Sequence, residues 1–337
     1  MVMSVSTAPT VLGLDVGGAN LKAAHTSEVA LTRAFALWNH PDQLAARLRT
    51  ICAQMPPHDR IALTMTGELC DCFESKREGV LAIVRSVEEA AEGTPLQVWT
   101  THGVFVPPGQ VCHAPLSAAA ANWLALAHLA CRFANGAPAL LIDTGSTTTD
   151  IVYLEGGQPA PRGLTDSDRL ASGELVYTGV RRTPVCAVLG IRVAAEFFAT
   201  MLDVYLVLGL ASENGKDTDT ADGRPATRHH AAARLARMRC ADVGEMTLPD
   251  IESLARQAVE TQVSHIRGAI DRVLEDRAPP GRIVVSGSGE ALGRLVLAAH
   301  PQLRTTPIVS LAERLRHGLS EAACAYAVAV LAARSAE

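Results

Sequence analysis

Two stretches, Val11-Leu-Gly-Leu-Asp15-Val-Gly17-Gly18-Ala-Asn20-Leu-Lys22-Ala-Ala and Ala139-Leu-Leu-Ile-Asp143-Thr144-Gly145-Ser146-Thr147-Thr148-Thr149-Asp150-Ile-Val-Tyr, share one layout. In each, a short apolar run ends at an aspartate, small residues follow, and apolar character resumes. That pattern reads as strand, tight glycine turn, second strand. Two hairpins of one kind, far apart in the chain, point to two related lobes. A third segment, Arg282-Ile-Val-Val-Ser-Gly287-Ser-Gly289-Glu290, again runs a buried strand into glycines.

These turns suit a phosphate ester or diphosphate. Consecutive backbone N–H groups in a glycine turn supply donors at close range. Gly17, Gly18, Gly145, Gly287 and Gly289 fit that role, the hydroxyls of Thr144, Ser146, Thr147 and Thr148 add donors, and Lys22 adds a point charge. Asp15 and Asp143 would repel a bare phosphate. They make sense as ligands of Mg²⁺ or another divalent cation lying between carboxylate and phosphate oxygens.

Working outward, Arg60 to Met65 and Gln97 to Thr101 read as strands, and Asp42 to Met55 and Val87 to Glu92 as helices. Pro115 to Phe133 reads as one Ala/Leu-rich helix stopped by Asn135-Gly136-Ala-Pro138. Ile191 to Gly209 is apolar enough for a long helix, Ser212 to Arg228 is a polar loop, and helices follow at Arg228 to Arg239 and Leu248 to Asp276. Gly318 to Ala333 is a closing small-residue helix. The chain has 337 residues, 48% of them hydrophobic and 19% charged, which permits a large core and two domains. A net charge of -5 carries no nucleic-acid footprint. No apolar run reaches the roughly 18 residues of a membrane span. Met1 to Thr10 lacks the order of a secretory signal, so a cytoplasmic protein is expected. The 8 cysteines are scattered, and Cys70-x-Cys72 is not zinc-finger spacing, so reduced thiols are expected.

In order and spacing, the three glycine segments resemble the phosphate-1, phosphate-2 and adenosine segments of the actin/sugar-kinase/Hsp70 superfamily. The resemblance implies an α/β protein of two ribonuclease-H-like lobes with a central cleft. The first lobe would span 1–114, a crossing helix and linker 115–137, the second lobe 138–317 with a helical insertion at about 191–280, and a returning helix 318–337.

A narrower resemblance rests on Thr66-Gly-Glu68-Leu-Cys-Asp71-Cys-Phe73-Glu74-Ser-Lys76-Arg77-Glu78-Gly79, Ser117-Ala-Ala-Ala-Ala-Asn122-Trp123, Glu174-Leu-Val-Tyr177-Thr178-Gly179-Val-Arg181-Arg182-Thr183-Pro184, Asp203-Val-Tyr205 and Asp219-Thr-Ala-Asp222-Gly-Arg-Pro225. Together they resemble hydantoinase/oxoprolinase-like proteins of tetrahydromethanopterin-linked C1 transfer, whose archaeal members include methanofuran-biosynthesis synthases. The resemblance implies an alkyltransferase that condenses an aminomethylfuran-methyl diphosphate with the phenol oxygen of a tyramine or tyrosine derivative, releasing diphosphate. Asp203, Lys76 and Glu74 are then the expected catalytic residues, with Glu68 a further candidate base. Arg181 and Arg182, in a turn between Gly179 and Pro184, are expected to bind the anion. Asn20, Asn122, Tyr177 and Asp222 are expected on the substrate side. Asp203 sits among apolar residues, so it is either paired with a cation or a metal or base residue.

Two other functions remain open on these residues. An ATP-dependent small-molecule kinase would hold Mg-ATP at Asp15, Asp143 and Gly287 to Gly289. A nucleotide-responsive regulatory protein would close on ligand without turnover. A homodimer is the general expectation for a soluble enzyme.

Overall fold

The computed structural model describes residues 9–316 and 318–335. The expectation about a signal rests mainly on residues 1–8, which lie outside the described residues. The chain divides into two compact units: Met1–Ala139, Leu154–Asp168 and Val309–Glu337 in one, Leu140–Tyr153 and Arg169–Ile308 in the other.

The first unit begins with β1 (Val11–Val16), β2 (Asn20–His25) and β3 (Ala30–Ala34), an antiparallel meander. Next come α1 (Leu44–Gln54), β4 (Arg60–Met65), α2 (Lys76–Ala91), β5 (Leu96–Trp99), β6 (Phe105–Val106), α3 (Pro108–Val111) and α4 (Asn122–Cys131). The sheet order is β3-β2-β1-β4-β5-β6, with β4 parallel to both β1 and β5. All six residues of β1 are buried, as an unbroken apolar run in a central strand covered on both faces requires.

The second sheet uses β7 (Ala139–Thr144), β8 (Thr149–Glu155), β9 (Gln158–Pro159), β10 (Leu175–Val176), β11 (Arg282–Ser286) and β12 (Ile308–Ser310), in the order β10-β8-β7-β11-β12 with β9 beside β8. α5 (Asp166–Ser172) precedes β10, and α6 (Val185–Leu189), α7 (Met201–Val207), α8 (Arg228–Arg237) and α9 (Leu248–Leu274) separate β10 from β11. α10 (Glu290–Ala299) follows β11, and α11 (Leu311–Arg314) and α12 (Ala323–Arg334) close the chain. Both sheets thus carry one plan: a hairpin whose first strand is central, then strands added on its other side after helices. This is the ribonuclease-H-like order that the resemblance to the actin/sugar-kinase/Hsp70 superfamily implied.

Small residues decide the packing of α4 and α12. Ala125, Ala127, Ala325, Ala327 and Ala329 are fully buried, so the two helices approach closely, and α12 also lies on β1 and β4. No helix among the described residues is long and apolar enough to cross a membrane. Among the described residues the cysteines form no disulfide.

Several sequence expectations need correction. The helix read over Pro115 to Phe133 is two pieces, a 3-10 turn at Pro115–Ala118 and then α4. Between them Ala120 takes a left-handed φ of 45°. Ala118, Ala119 and Ala121 are buried at this break, so packing overrides alanine's helix propensity. The long helix read over Ile191 to Gly209 shrinks to α7. Gly190 has a φ of 60°, Ile191 is exposed, and Thr200 starts α7 through a capping box with Asp203. In contrast, the helix read from Val87 begins at Lys76, capped by Ser75, which accepts from the Glu78 amide. The final helix starts at Ala323 rather than Gly318.

Candidate functional site

In the first unit, polar groups gather at the carboxyl ends of β1 and β4. Asp15 is paired in register with Thr64 on β4 and with Lys22 on β2, so the three share one face of the sheet. Asp15 Oδ1, Thr64 Oγ1 and Glu68 Oε2 are all buried, and none meets a hydrogen-bond partner among the described residues. Three orphaned oxygens in one place are unusual, because each leaves a desolvation cost uncompensated. Burial raises the Asp15 carboxyl above the usual aspartate range, and Lys22 pulls it part of the way back. Glu68, only 2% exposed, is pushed up to about 7 by burial; Lys76 lowers it, while Asp166 and Asp15 raise it.

Lys76 opens α2 with its ammonium 3.0 Å from Asp166 and 3.9 Å from Glu68. It therefore joins the loop after β4 to α5. Glu74, two residues before, is exposed, and its amide donates to Glu78. Gly17 closes the first turn by donating to the Asn20 carbonyl at 3.0 Å, and Gly18 lies against Cys70. Asn122, at the start of α4, donates to Cys324 Sγ.

The second unit repeats the arrangement. Gly145 donates to the Thr148 carbonyl at 2.8 Å, which closes a turn over Ser146 and Thr147. Gly289 donates to the Thr144 carbonyl at 2.8 Å, tying the third glycine segment to the end of β7. Gly287 has a φ of 89°, and a Cβ there would stand 2.2 Å from the Thr144 carbonyl oxygen and 2.8 Å from Asp143 Oδ1. Only glycine serves there. Thr144 Oγ1 and Ser286 Oγ are buried without a partner among the described residues. The second turn thus keeps two hydroxyls at the strand ends where an anion is expected.

Other expected residues turn out to be committed elsewhere. Asp203 is 1% exposed; it accepts from Arg234 Nε at 2.8 Å and from the Thr200 amide at 2.9 Å. Asp222 binds Arg234 at 2.9 Å and Arg237 at 3.1 Å. Both carboxylates are paired with arginines of α8, and of the alternatives open to Asp203 the structure shows the pairing with a cation. Arg181 grips Asp217 with two bonds of 2.8 Å and also reaches Asp219. Its guanidinium holds the polar loop, and what meets the Ser146 carbonyl is its backbone amide, joined there by that of Arg182. Tyr177 is 62% exposed. Among the described residues, no group of three or more His, Cys, Asp or Glu side chains is arranged to hold a metal.

Sequence reasoning underrated Glu68 and missed Thr64 and Asp166. Glu68 carried a signal, since an acid follows the end of β4 as Asp15 and Asp143 end their strands. Asp166 carried none, because only folding brings it to Lys76.

A family model described as hydantoinase/oxoprolinase matches residues 59–332. The chain belongs to this family. A curated relative from Methanocaldococcus jannaschii is 30% identical over 332 residues, covering 95% of this chain and 97% of its own. It is named (4-{4-[2-(gamma-L-glutamylamino)ethyl]phenoxymethyl}furan-2-yl)methanamine synthase. A second relative of the same name, from Methanococcus vannielii, is 29% identical over 206 residues, or 57% of this chain and 89% of its own. Among solved structures, acetone carboxylase aligns with a TM-score of 0.55 at 10% identity, covering 95% of this chain and 70% of that one. That likeness shows the fold alone. Family membership extends over both glycine turns that follow β4, and over Glu68, Lys76 and the Gly179 loop.

Proposed function

We propose that this hydantoinase/oxoprolinase family member is an alkyltransferase that makes an aryl ether. Its substrates are an aminomethylfuran-methyl diphosphate and the phenol of a tyramine- or tyrosine-type acceptor. The observation that carries the reading is the likeness, over 95% of the chain, to a synthase whose named product is a phenoxymethyl furan.

The chemistry is balanced. The bond between the furfuryl CH₂ and diphosphate breaks, its electron pair leaves on diphosphate, and the phenol oxygen bonds to the same carbon. The furan ring stabilises positive charge on that carbon, so the enzyme's main tasks are to neutralise the leaving group and hold the phenol in line. The turn at Gly145 to Thr148 offers amides and hydroxyls to diphosphate, and the Gly17–Gly18 turn offers the same chemistry in the first unit. Lys76, partly exposed, brings a positive charge to the developing anion. Phenol has a pKa of about 10, so its proton needs an acceptor. Glu68 fits that need better than Glu74: it is held near neutrality, with one oxygen unpartnered.

Asp15 fits a divalent cation, because one buried oxygen meets no donor and Lys22 only partly offsets the burial of its charge. Mg²⁺ takes one or two carboxylates together with substrate phosphates, so Asp15 would hold it and supply charge neutralisation to diphosphate; Asp143 ends the matching strand of the second unit.

The test is diphosphate release with Mg²⁺ from the furfuryl diphosphate plus tyramine or tyrosine, against an ATP-only control. Diphosphate should appear together with an aryl ether and be lost in Asp143→Ala. ADP formation in the control, with no ether, would assign the protein to kinase chemistry instead.

A further inference from the structure

α9 is a long amphipathic helix whose buried stripe reads Ile251, Leu254, Ala255, Ala258, Gln262, Ile266, Ala269, Ile270 and Val273. One polar residue interrupts it. Gln262 is 0% exposed, and an amide buried in an aliphatic stripe is costly unless every hydrogen-bonding group is used. They are used. Its Oε1 accepts from the Tyr205 hydroxyl, and its Nε2 donates to Thr178 Oγ1 at 2.7 Å and to the Gly179 carbonyl at 2.9 Å. Thr178 is held a second time, since Thr149 donates to its carbonyl at 2.8 Å. Gly179 is held a second time too, donating to Thr183 Oγ1 at 2.9 Å.

The loop so fixed lies against the second glycine turn. A Cβ on Gly179 would stand 2.4 Å from the Gly145 carbonyl oxygen and 2.6 Å from the Thr147 amide nitrogen, so backbone meets backbone with no room for a side chain. The Val180 amide donates to the Gly145 carbonyl at 3.1 Å, and the Arg181 and Arg182 amides donate to the Ser146 carbonyl at 3.0 and 2.9 Å. A trans peptide points its N–H opposite to its C=O. With the Gly145 and Ser146 carbonyls drawn back onto the loop, the N–H groups of Ser146 and Thr147 face the other way, as an anion-binding pair of amides must.

We infer that the buried Tyr205–Gln262 pair is a brace that aims the Ser146 and Thr147 amides at the diphosphate, which makes Gln262 a positioning residue for anion binding. The inference rests on the alkyltransferase reading only for the identity of the anion. Gln262 touches no substrate. It acts through Thr178, Gly179 and the three amides that follow.

The test is binding of inorganic diphosphate with Mg²⁺ by calorimetry to the full-length protein, at a temperature where circular dichroism shows each variant folded. Gln262→Met keeps the volume and removes both donors, so diphosphate should bind at least tenfold more weakly while KM for the phenol acceptor stays within twofold. A purely structural role would move neither constant selectively. Tyr205→Phe, which takes only the outer member of the brace, should weaken diphosphate binding by a smaller factor, and it decides the matter if Gln262→Met does not fold. Unchanged diphosphate affinity in a folded variant overturns the brace and leaves the alkyltransferase reading standing. Failure of the wild type to bind diphosphate overturns both. Braced binding without ether formation overturns the alkyltransferase alone.

Discussion

Asp203→Ala separates a structural carboxylate from a catalytic one. Asp203 caps α7 through the Thr200 amide, accepts a hydrogen bond from Arg234 Nε at 2.8 Å, and forms an ion pair with Nη2 at 2.7 Å. Arg234 is 0% exposed, so removal of Asp203 leaves a buried guanidinium with Asp222 as its remaining carboxylate. Breaking a buried pair from one side costs about 3–5 kcal/mol, and retention of Asp222 favours the lower end. Loss of the cap adds roughly 1 kcal/mol. A total of about 4 kcal/mol should lower the thermal midpoint of this unit by roughly 10 °C. Differential scanning calorimetry reads that shift, and kcat measured well below the new midpoint should stay within about threefold of wild type. Replacing Asp203 and Arg234 together by apolar residues should recover part of the stability, since a fully apolar site has no stranded charge. An unchanged midpoint with kcat down a hundredfold would refute this account and return Asp203 to the chemistry.

Three other outcomes follow from the site. Glu68 carries a pKa raised from 4.5 to about 7, so it binds a proton more tightly folded than unfolded. Its ionisation therefore costs stability progressively from about pH 4.5 to pH 7, and stability is fullest below that window. Glu68→Gln should be more stable than wild type at pH 8, by up to about 3 kcal/mol. It should also be slower, and it should lose the acid limb near pH 7 in kcat/KM; a limb that persists in Glu68→Gln removes Glu68 as the proton acceptor. In Gly179→Ala the new methyl meets backbone at 2.4 Å, an overpacking of roughly 1–3 kcal/mol that the glycine turn must absorb. Diphosphate affinity measured by calorimetry should fall, with circular dichroism unchanged. Asp15→Asn removes a buried carboxylate oxygen that has no partner, so the protein should keep or gain stability while the Mg²⁺ concentration for half-maximal rate rises about tenfold or more. An unaltered Mg²⁺ requirement would exclude Asp15 as the ligand.

The fold was legible in local sequence because its decisive elements are local. A central strand buried on both faces must be an unbroken apolar run, and the turn after it must be small, so Val11 to Ala24 and Ala139 to Tyr153 announce both sheets without any knowledge of contacts. α9 was legible for a similar reason, since its 3.6-residue stripe lies within one stretch of chain, whereas α2 was read only in its last turns, from Val87. Strand-end aspartates and glycine turns could be read in the same way.

What failed was whatever depends on partners distant in sequence. Ile191 to Gly209 has the apolarity of a helix, yet only packing around Thr200 and Asp203 decides where α7 begins. Asp203 looked reactive because an acid among apolar residues must have a partner, and sequence could not say that the partner was Arg234 rather than a substrate. Lys76 meets Asp166 across 90 positions, and Gln262 reaches Thr178 across 84. Local periodicity records where a side chain points relative to its own element. It holds no record of which group, folded back from elsewhere, will satisfy its charge or its hydrogen bonds, and that is why the strand ends could be read in advance while the Glu68–Lys76–Asp166 cluster and the Tyr205–Gln262 brace required the tertiary structure.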